Sequence, residues 1–343
     1  MRRTALVLAG AVWLALVTAF TTRAHIEHLL TRALDPSAEP RLLDVPQGSS
    51  SSDLLHLMAE QGFAPNGVVW DLYVDHLHAS EPVPSGEYLI GAGQSPLQQL
   101  RVVESGRRFE YTFTLPAGGT LEEMAEALAA AGVAEAGPFL EAARDVELLE
   151  ELGVEGPSAE GFIYPDVWAL PRGLEPAELL TRLVERFFDR APDLASSAEV
   201  LGLTPHQLVT VASLVERGPV PPEEWRLYAA LLIERLQKGY ALESAAADEY
   251  GRTRPGAPAD PRQDPWNTTQ RPGLPSTPIG SPSLSALRAT AAPADTEPVY
   301  MVRREGGRHV FCPTAVCYLE ALRQHAPGQA AHFPRRFGHG ASR

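Results

Sequence analysis

The chain has 343 residues, 44% of them hydrophobic, and a formal net charge of −14. This length accommodates two modest domains, each with its own core. The negative charge argues against nucleic acid and anionic lipid headgroups as electrostatic partners, but not against a neutral sugar polymer.

The N-terminus "MRRTALVLAGAVWLALVTAF" places Arg2 and Arg3 before an apolar stretch. Residues 4–21 approach the roughly 20 residues that a membrane-spanning helix needs. A cleaved signal peptide is the alternative, but the following "AFTTRAHIEHLL" has no clean small-x-small cleavage site. The sequence therefore favours a retained single-pass anchor over residues 4–21, with residues 1–3 in the cytoplasm and the rest of the chain exported.

After a predicted juxtamembrane spacer at residues 22–42, one sequence pattern occurs twice. The segments "VPQGSSSSDLLHLMAEQGF" (45–63) and "LPAGGTLEEMAEALAAAGV" (115–133) share an apolar residue, Pro-x-Gly, a polar cap, an amphipathic helix and a closing glycine. In the second copy, Thr120 and Glu123 have the spacing of a capping box. The pattern predicts one strand–turn–helix unit used twice.

The sequence predicts an α+β fold in two domains. Residues 43–113 are expected to form a small α+β domain, residues 114–330 a larger mixed α/β domain, and residues 331–343 a C-terminal tail. In the larger domain, Thr204 and Pro205 mark a strong helix start. The core face of that helix is expected at Leu208, Val211, Ala212 and Val215.

The segment "VYMVRREGGRHVFC" predicts a β-hairpin with Gly306 and Gly307 at its turn. The two cysteines, Cys312 and Cys317, lie at and after its end. They either form a disulfide in an oxidising compartment or pack as two small apolar residues. Their spacing and surroundings do not resemble a zinc site, so no metal is expected.

The apolar helix within "TVASLVERGPV" ends at Glu216, and Gly218 and Pro219 stop the chain directly afterwards. The negative end of the helix dipole and the apolar neighbours favour the protonated carboxylic acid. A general acid needs such an environment. By spacing alone, a solvated surface glutamate beside Arg217 is the more common outcome.

Five segments in order, from about residue 45 to 322, resemble the YceG-like family of membrane-anchored endolytic murein transglycosylases. They are "SAEGFIYPDVWALP", "LVTVASLVER", "LIERLQKGYALES", "PWNTTQRPGLPSTPIGSPSLSAL" and "GGRHVFCPT". The resemblance implies a small LysM-like α+β domain followed by a YceG-like catalytic-type domain, and it puts the family's essential glutamate at Glu216.

The resemblance also implies the reaction and its setting. The reaction is lytic cleavage between N-acetylmuramic acid and N-acetylglucosamine of nascent peptidoglycan strands, leaving 1,6-anhydro ends, without metal or cofactor. Implied partners are glycan strands, cell-wall synthases and, through the N-terminal helix, the bacterial inner membrane. Candidate substrate-binding residues are Glu234, Glu243, Asn267, Thr268 and His309.

The chain differs from the family pattern at several polar positions. Gly218 stands where the family helix has a second acid, and Tyr318 stands in place of a histidine. Further differences are Glu234 for Asn, Glu243 for Gln, Ala245 for Asp, Ala246 for Pro and Thr269 for Tyr. Two functions are therefore open: an active enzyme with Glu216 as sole acid/base, or an impaired family member that binds peptidoglycan or the cell-wall synthesis machinery.

Overall fold

A computed structural model describes residues 2–33, 35, 37, 39–64 and 82–330, with side chains from residue 10 onward. The predicted C-terminal tail, residues 331–343, lies outside the described residues. The chain divides into two compact units. The smaller comprises Met1–Tyr111 with Ala169–Gly173, and the larger comprises Thr112–Trp168 with Leu174–Arg343. The chain is a mixed α+β protein, as the sequence predicted.

The first helix, α1, runs from Arg2 to Thr31 and contains the predicted anchor. Its middle exposes large apolar side chains, among them Trp13 and Phe20, whereas Leu30 near its end is buried in the core of the smaller unit. In the part of the chain that the structure describes, no helix reaches the length and hydropathy required of a membrane span.

The smaller unit has two strands and two further helices around that core. They are β1 (Arg41–Val45), α2 (Ser51–Glu60), β2 (Gly86–Ile90) and α3 (Pro96–Glu104). Strands β1 and β2 pair antiparallel, with Leu43 opposite Tyr88. Both of these side chains are fully buried because alternate residues of each strand face the helices.

The larger unit is mainly helical. In chain order its elements, with β3 and β4 at the unit boundary, are β3 (Tyr111–Thr114), α4 (Leu121–Ala130), α5 (Ala136–Ala142), α6 (Val146–Glu151), β4 (Val167–Leu170), α7 (Pro176–Arg190), α8 (Leu194–Val200), α9 (Pro205–Glu216), α10 (Trp225–Gln237), α11 (Ala245–Thr253), α12 (Leu284–Ala291), β5 (Tyr300–Arg303), β6 (His309–Cys312), α13 (Ala315–His325) and α14 (Pro327–Ala330). Short 3₁₀ turns cover Pro222–Glu224, Pro261–Gln263 and Glu305–Gly307.

The internal repeat is confirmed as a structural repeat. Ser50 is the N-cap residue of α2 and Thr120 that of α4, each with a complete capping box. Each helix is followed by a glycine with positive φ, Gly62 or Gly132, as expected of a residue that reverses the chain after a helix. The same capped helix with a closing glycine therefore occurs once in each unit.

Helix α9 lies at the centre of the larger unit, in contact with α8, α10 and α12. The helix start at Thr204 is confirmed by its capping box with Gln207. The predicted core face was too narrow, because every residue from Leu208 to Val215 is buried. A helix surrounded by others buries all its sides, so solvent approaches only its two ends, the first turn at residues 205–207 and Glu216.

The predicted hairpin is also confirmed. Strands β5 and β6 pair antiparallel, and Gly306 and Gly307 at the turn both have positive φ. Of the two alternatives for the cysteines, the structure has the disulfide, between Cys312 at the end of β6 and Cys317 in α13. The bond links the hairpin to the helix that follows it.

Candidate functional site

Glu216 is the last residue of α9 and is half-buried. Its Oε2 accepts two hydrogen bonds from Ser283, one from the backbone N–H at 3.0 Å and one from Oγ at 2.5 Å. Ser283 is the N-cap residue of α12, so the carboxylate at the end of one helix meets the start of another. The positive end of the α12 dipole faces the negative end of the α9 dipole at this carboxyl group.

The two oxygens of Glu216 have different surroundings. Among the described residues, Ser283 is the hydrogen-bond partner of Glu216, and both of its bonds go to Oε2. Oε1 has no such partner in the same part of the chain. When the group is protonated, Oε1 is therefore the oxygen that carries the proton, since Oε2 already accepts two donors.

Two glycine-containing loops meet beside this carboxyl group. The N–H of Gly118 donates to the carbonyl oxygen of Ser281, and the N–H of Ser281 donates to that of Gly119, both at 2.8 Å. A β-carbon at Gly118 would lie 3.7 Å from Cγ of Glu216. At Gly280, where φ is +150°, a β-carbon would overlap the carbonyl oxygen of Gly118. Glycine is needed there because two backbones approach closely.

Gly218 lies two residues beyond Glu216, where the resemblance to the YceG-like family predicts a second acid. A β-carbon at Gly218 would overlap Cε1 of Tyr228 and lie 2.9 Å from the carbonyl oxygen of Leu214. The ring of Tyr228 is buried in the core with Leu214 and Val215. The space for a second acidic side chain is therefore filled by an aromatic ring.

A second carboxyl group, Glu160, is buried close to this site and is only 2% exposed. Both of its oxygens accept the N–H of Leu121, at 3.2 and 3.1 Å, and Oε2 also accepts the Tyr250 hydroxyl at 2.8 Å. Burial raises the pKa of Glu160 to about 7, while the Tyr250 and Leu121 hydrogen bonds and the positive charge of Arg217 act in the opposite direction.

This buried acid predicts a pH-dependent stability. Because the pKa of Glu160 is raised in the folded state from 4.5 to about 7, its contribution is full below pH 4.5 and is lost as the pH rises through 7. The loss is on the order of 3 kcal/mol. Denaturant unfolding at pH 5 and pH 8 should show it in the wild type. Glu160→Gln should lose this part of the pH dependence. If the stability of the variant depended on pH as that of the wild type does, Glu160 would not be the group responsible.

Glu234 and Glu243, two of the candidate substrate-binding residues, form ion pairs within the larger unit. Glu234 pairs with Lys238 at 2.6 Å, and Glu243 pairs with Arg235 at 3.0 Å. Glu243 has a φ of +52° and a half-exposed side chain. Neither carboxylate hydrogen-bonds Glu216 among the described residues, so their role toward a substrate stays a prediction.

Asn267 and Thr268 organise the irregular segment that follows α11. The Asn267 side chain donates to the carbonyl oxygen of Pro261 at 2.9 Å and accepts the N–H of Gln270 at 3.2 Å. Thr268 is 2% exposed, and its N–H and Oγ both donate to Asp248 in α11. Asp248 is thus engaged within the fold, and the substrate-binding roles of Asn267 and Thr268 stay predictions.

His309 lies on β6 and is buried against Glu224. Its Nδ1 is 2.9 Å from Glu224 Oε2, and its backbone N–H donates to Glu224 Oε1 at 3.1 Å. Glu224 is itself 5% exposed. The pair ties the hairpin to the turn before α10, and a substrate contact of His309 stays a prediction.

Sequence reasoning missed two residues of the Glu216 surroundings. Ser283 was not singled out, although a serine directly before the helical segment "LSALRATA" is a typical N-cap signal. Glu160 was noted only as part of a matching segment, since one sequence does not show that Tyr250, 90 residues later, is its partner. A capping signal in the sequence identifies where a helix starts. It does not identify which side chain from a distant part of the chain will bind that helix start.

Comparisons with known proteins identify relatives of this chain. Residues 43–324 match the profile of the YceG-like family. Two similar curated proteins are named endolytic murein transglycosylase. The one from Streptococcus pneumoniae strain D39 is 23% identical over 339 residues, covering 87% of this chain and 61% of the relative. The one from Bacillus subtilis strain 168 is 21% identical over 299 residues, covering 79% of this chain and 81% of the relative.

A solved structure shows the same fold. A YceG-like protein from Listeria monocytogenes superposes with a TM-score of 0.51 at 18% identity, covering 82% of this chain and 98% of that one. The chain spans 61% of the length of its streptococcal relative. With the family profile matched over more than half of its residues, the chain belongs to the YceG-like family.

Proposed function

We propose that this chain is an endolytic peptidoglycan lytic transglycosylase with Glu216 as its acid/base. The observation that carries the proposal is the asymmetry of the Glu216 carboxyl group. Ser283 holds Oε2, and Oε1 has no hydrogen-bond partner among the described residues. The name shared by the curated relatives supports the choice of substrate and reaction.

A single carboxyl group is sufficient for lytic cleavage. Glu216 Oε1 donates its proton to the glycosidic oxygen as the bond to C1 of N-acetylmuramic acid breaks. The C6 hydroxyl of the same sugar then bonds to C1 and returns its proton to Glu216. No water is consumed, and the tethered hydroxyl replaces the second carboxylate that hydrolysing glycosidases use.

The proposal extends to the setting of the reaction. Residues 4–21 would attach the chain to the inner membrane as a single-pass helix, with the bulk of the chain extracytoplasmic. The exposed apolar side chains in the middle of α1 support this placement, and so does the disulfide between Cys312 and Cys317, since disulfides persist in oxidising compartments. We propose the boundaries 43–113 for a LysM-like domain and 114–330 for the catalytic-type domain.

One observation favours the alternative, an impaired family member that binds glycan strands or cell-wall synthases. The place of the family's second acid at Gly218 is filled by Tyr228. Incubating the full chain with purified peptidoglycan distinguishes the two functions. New 1,6-anhydromuramoyl ends within the strands support the enzyme. Glycan pull-down without such ends supports the binding function instead.

Removing the hydroxyl of Ser283 should impair this activity. In Ser283→Ala, Oε2 loses one of its two hydrogen bonds and α12 loses its N-cap. We expect kcat to fall about tenfold, as for the loss of one hydrogen bond to a charged group, and stability to fall by about 1 kcal/mol. Ser50→Ala, which removes the N-cap of α2, is the control. It should cost similar stability and leave kcat unchanged, and equal kcat in both variants would contradict the role of Ser283.

A further inference from the structure

Glu160 joins three parts of the larger unit through one buried carboxyl group. It precedes Gly161, where φ is +84° and a β-carbon would overlap Pro278, so the chain is closely packed at this point. Its oxygens accept the N–H of Leu121, the first residue of α4, and the hydroxyl of Tyr250 in α11. Burying a carboxyl group carries a desolvation cost, which these hydrogen bonds offset.

The residue held by Glu160 directly follows the glycine loop beside Glu216. Leu121 is two residues from Gly119, and a β-carbon at Gly118 would lie 3.7 Å from Cγ of Glu216. The same loop is paired with Ser281, two residues before the Ser283 that holds Glu216 Oε2. A shift at the start of α4 would therefore be transmitted to both neighbours of the Glu216 carboxyl group.

The charges around Glu160 also connect it to the site. Arg217, the residue after Glu216, lowers the pKa of Glu160, whereas Glu122 in the first turn of α4 raises the pKa of Glu160. The hydroxyl of Tyr250, from α11, lowers it by hydrogen bonding. Arg217 itself donates to the carbonyl oxygen of Ile279 at 2.7 Å, in the loop that leads to Ser283.

We propose that Glu160 is a positioning residue for Glu216: its buried carboxyl group fixes the start of α4 and, through it, the loop at Gly118 and Gly119. The inference rests on the proposed function for its effect on turnover. With 2% of its surface exposed, Glu160 is too buried to touch the reacting sugar. It acts by holding the backbone against which the Glu216 side chain is oriented.

The protonation state of Glu160 gives this role a measurable signature. Hydrogen bonds to an ionised carboxylate are about twice as strong as those to a neutral one. Within the folded state, the N–H of Leu121 and the positive end of the α4 dipole are therefore held more firmly when Glu160 is ionised, although burial of the charge lowers the stability of the whole fold. Burial raises the pKa of Glu160 to about 7, so the change falls near neutral pH.

The test compares kcat of the full-length wild type and Glu160→Gln on peptidoglycan from pH 6 to pH 8. A pH dependence that both proteins share cancels in the ratio of their kcat values. We expect the ratio of wild type to variant to rise about fivefold with pH, as a charge-assisted bond replaces a neutral one. Glu126→Gln, an exposed change on the same helix, should give a ratio near one throughout. A ratio for Glu160→Gln that is constant with pH would overturn the proposal.

A second measurement does not depend on turnover. Hydrogen exchange through local opening, measured in native buffer at pH 8, should be about tenfold faster at residues 116–124 in Glu160→Gln than in wild type, and equal in both proteins at residues 51–60. If the wild type has no lytic activity, the proposed function fails, and this exchange still decides the positioning role. Equal exchange at residues 116–124 would overturn it.

A third variant covers the case that Glu160→Gln does not fold. Tyr250→Phe keeps Glu160 and the ring contact with Trp266 but removes a hydrogen bond that lowers the pKa of Glu160. Its kcat–pH curve should be displaced to higher pH relative to wild type. If the wild type is inactive, the pH midpoint of the change in hydrogen exchange at residues 116–124 should be displaced to higher pH instead. An unshifted midpoint would overturn the role of Glu160.

Discussion

Glu216→Gln is expected to lower kcat for glycan-strand cleavage by about a thousandfold, the usual contribution of a general acid/base. The amide cannot donate a proton to the glycosidic oxygen or accept one from the C6 hydroxyl. Its oxygen still accepts both hydrogen bonds from Ser283, so the fold around it is preserved. The measurement is the rate at which new anhydro ends form in purified peptidoglycan.

The matched control is Glu249→Gln, the same change at an exposed position of α11. It should retain wild-type kcat, and both variants should keep the wild-type unfolding midpoint and glycan pull-down. Wild-type rates in Glu216→Gln would remove Glu216 from the reaction. Glu243, whose side chain is half-exposed, would then be the next candidate among the described carboxylates.

Gly218→Glu, which introduces an acid where the family has one, is expected to destabilise the protein by about 4 kcal/mol and not to raise its activity. The new side chain overlaps the buried ring of Tyr228 and crowds the carbonyl oxygen of Leu214. Overpacking a core costs about 1–3 kcal/mol, and burying a charge adds to it. Denaturant unfolding measures the loss.

Gly137→Glu is the control for that substitution. Gly137 lies in α5, and a β-carbon there has no atom within 4 Å among the described residues. Its replacement should be neutral or slightly stabilising, because glycine is a poor helix former. If Gly218→Glu were as stable as wild type and more active, the chain would have room for the second acid, and the single-carboxylate account would be wrong.

Local signals were sufficient to predict much of the scaffold. The capping boxes at Thr120 and Thr204 specify where α4 and α9 begin, and both are confirmed. The end of α9 is also predicted by a local signal, because Gly218 and Pro219 closely follow Glu216. Patterns of this kind involve residues three or four apart, which a single sequence displays directly.

The surroundings of Glu216 depend on residues that are far away in the chain. Ser283 lies 67 residues after Glu216, and the helix it caps supplies the dipole that opposes that of α9. Only the unfavourable end of α9 can be inferred from the sequence around Glu216. A single sequence contains no information on which helix end will meet another, so this compensation became visible only in the fold.

The same limit explains the buried polar groups. Glu160 and Tyr250 are 90 residues apart, and Thr268 and Asp248 are 20 apart. By residue type, a glutamate is expected at the surface. Only the hydrogen-bond partners explain why Glu160 is buried and why Asn267 and Thr268 shape a loop.

The central claim is that one carboxyl group cleaves the strand without water, and digestion in ¹⁸O-labelled water tests it most directly. Mass spectrometry of the new muramic acid ends should show 1,6-anhydro sugars, lighter by one water than reducing ends and free of ¹⁸O. Glu216→Gln should yield neither product. Reducing ends that carry ¹⁸O would show that water attacks C1, and would contradict the lytic mechanism with Glu216 as sole acid/base.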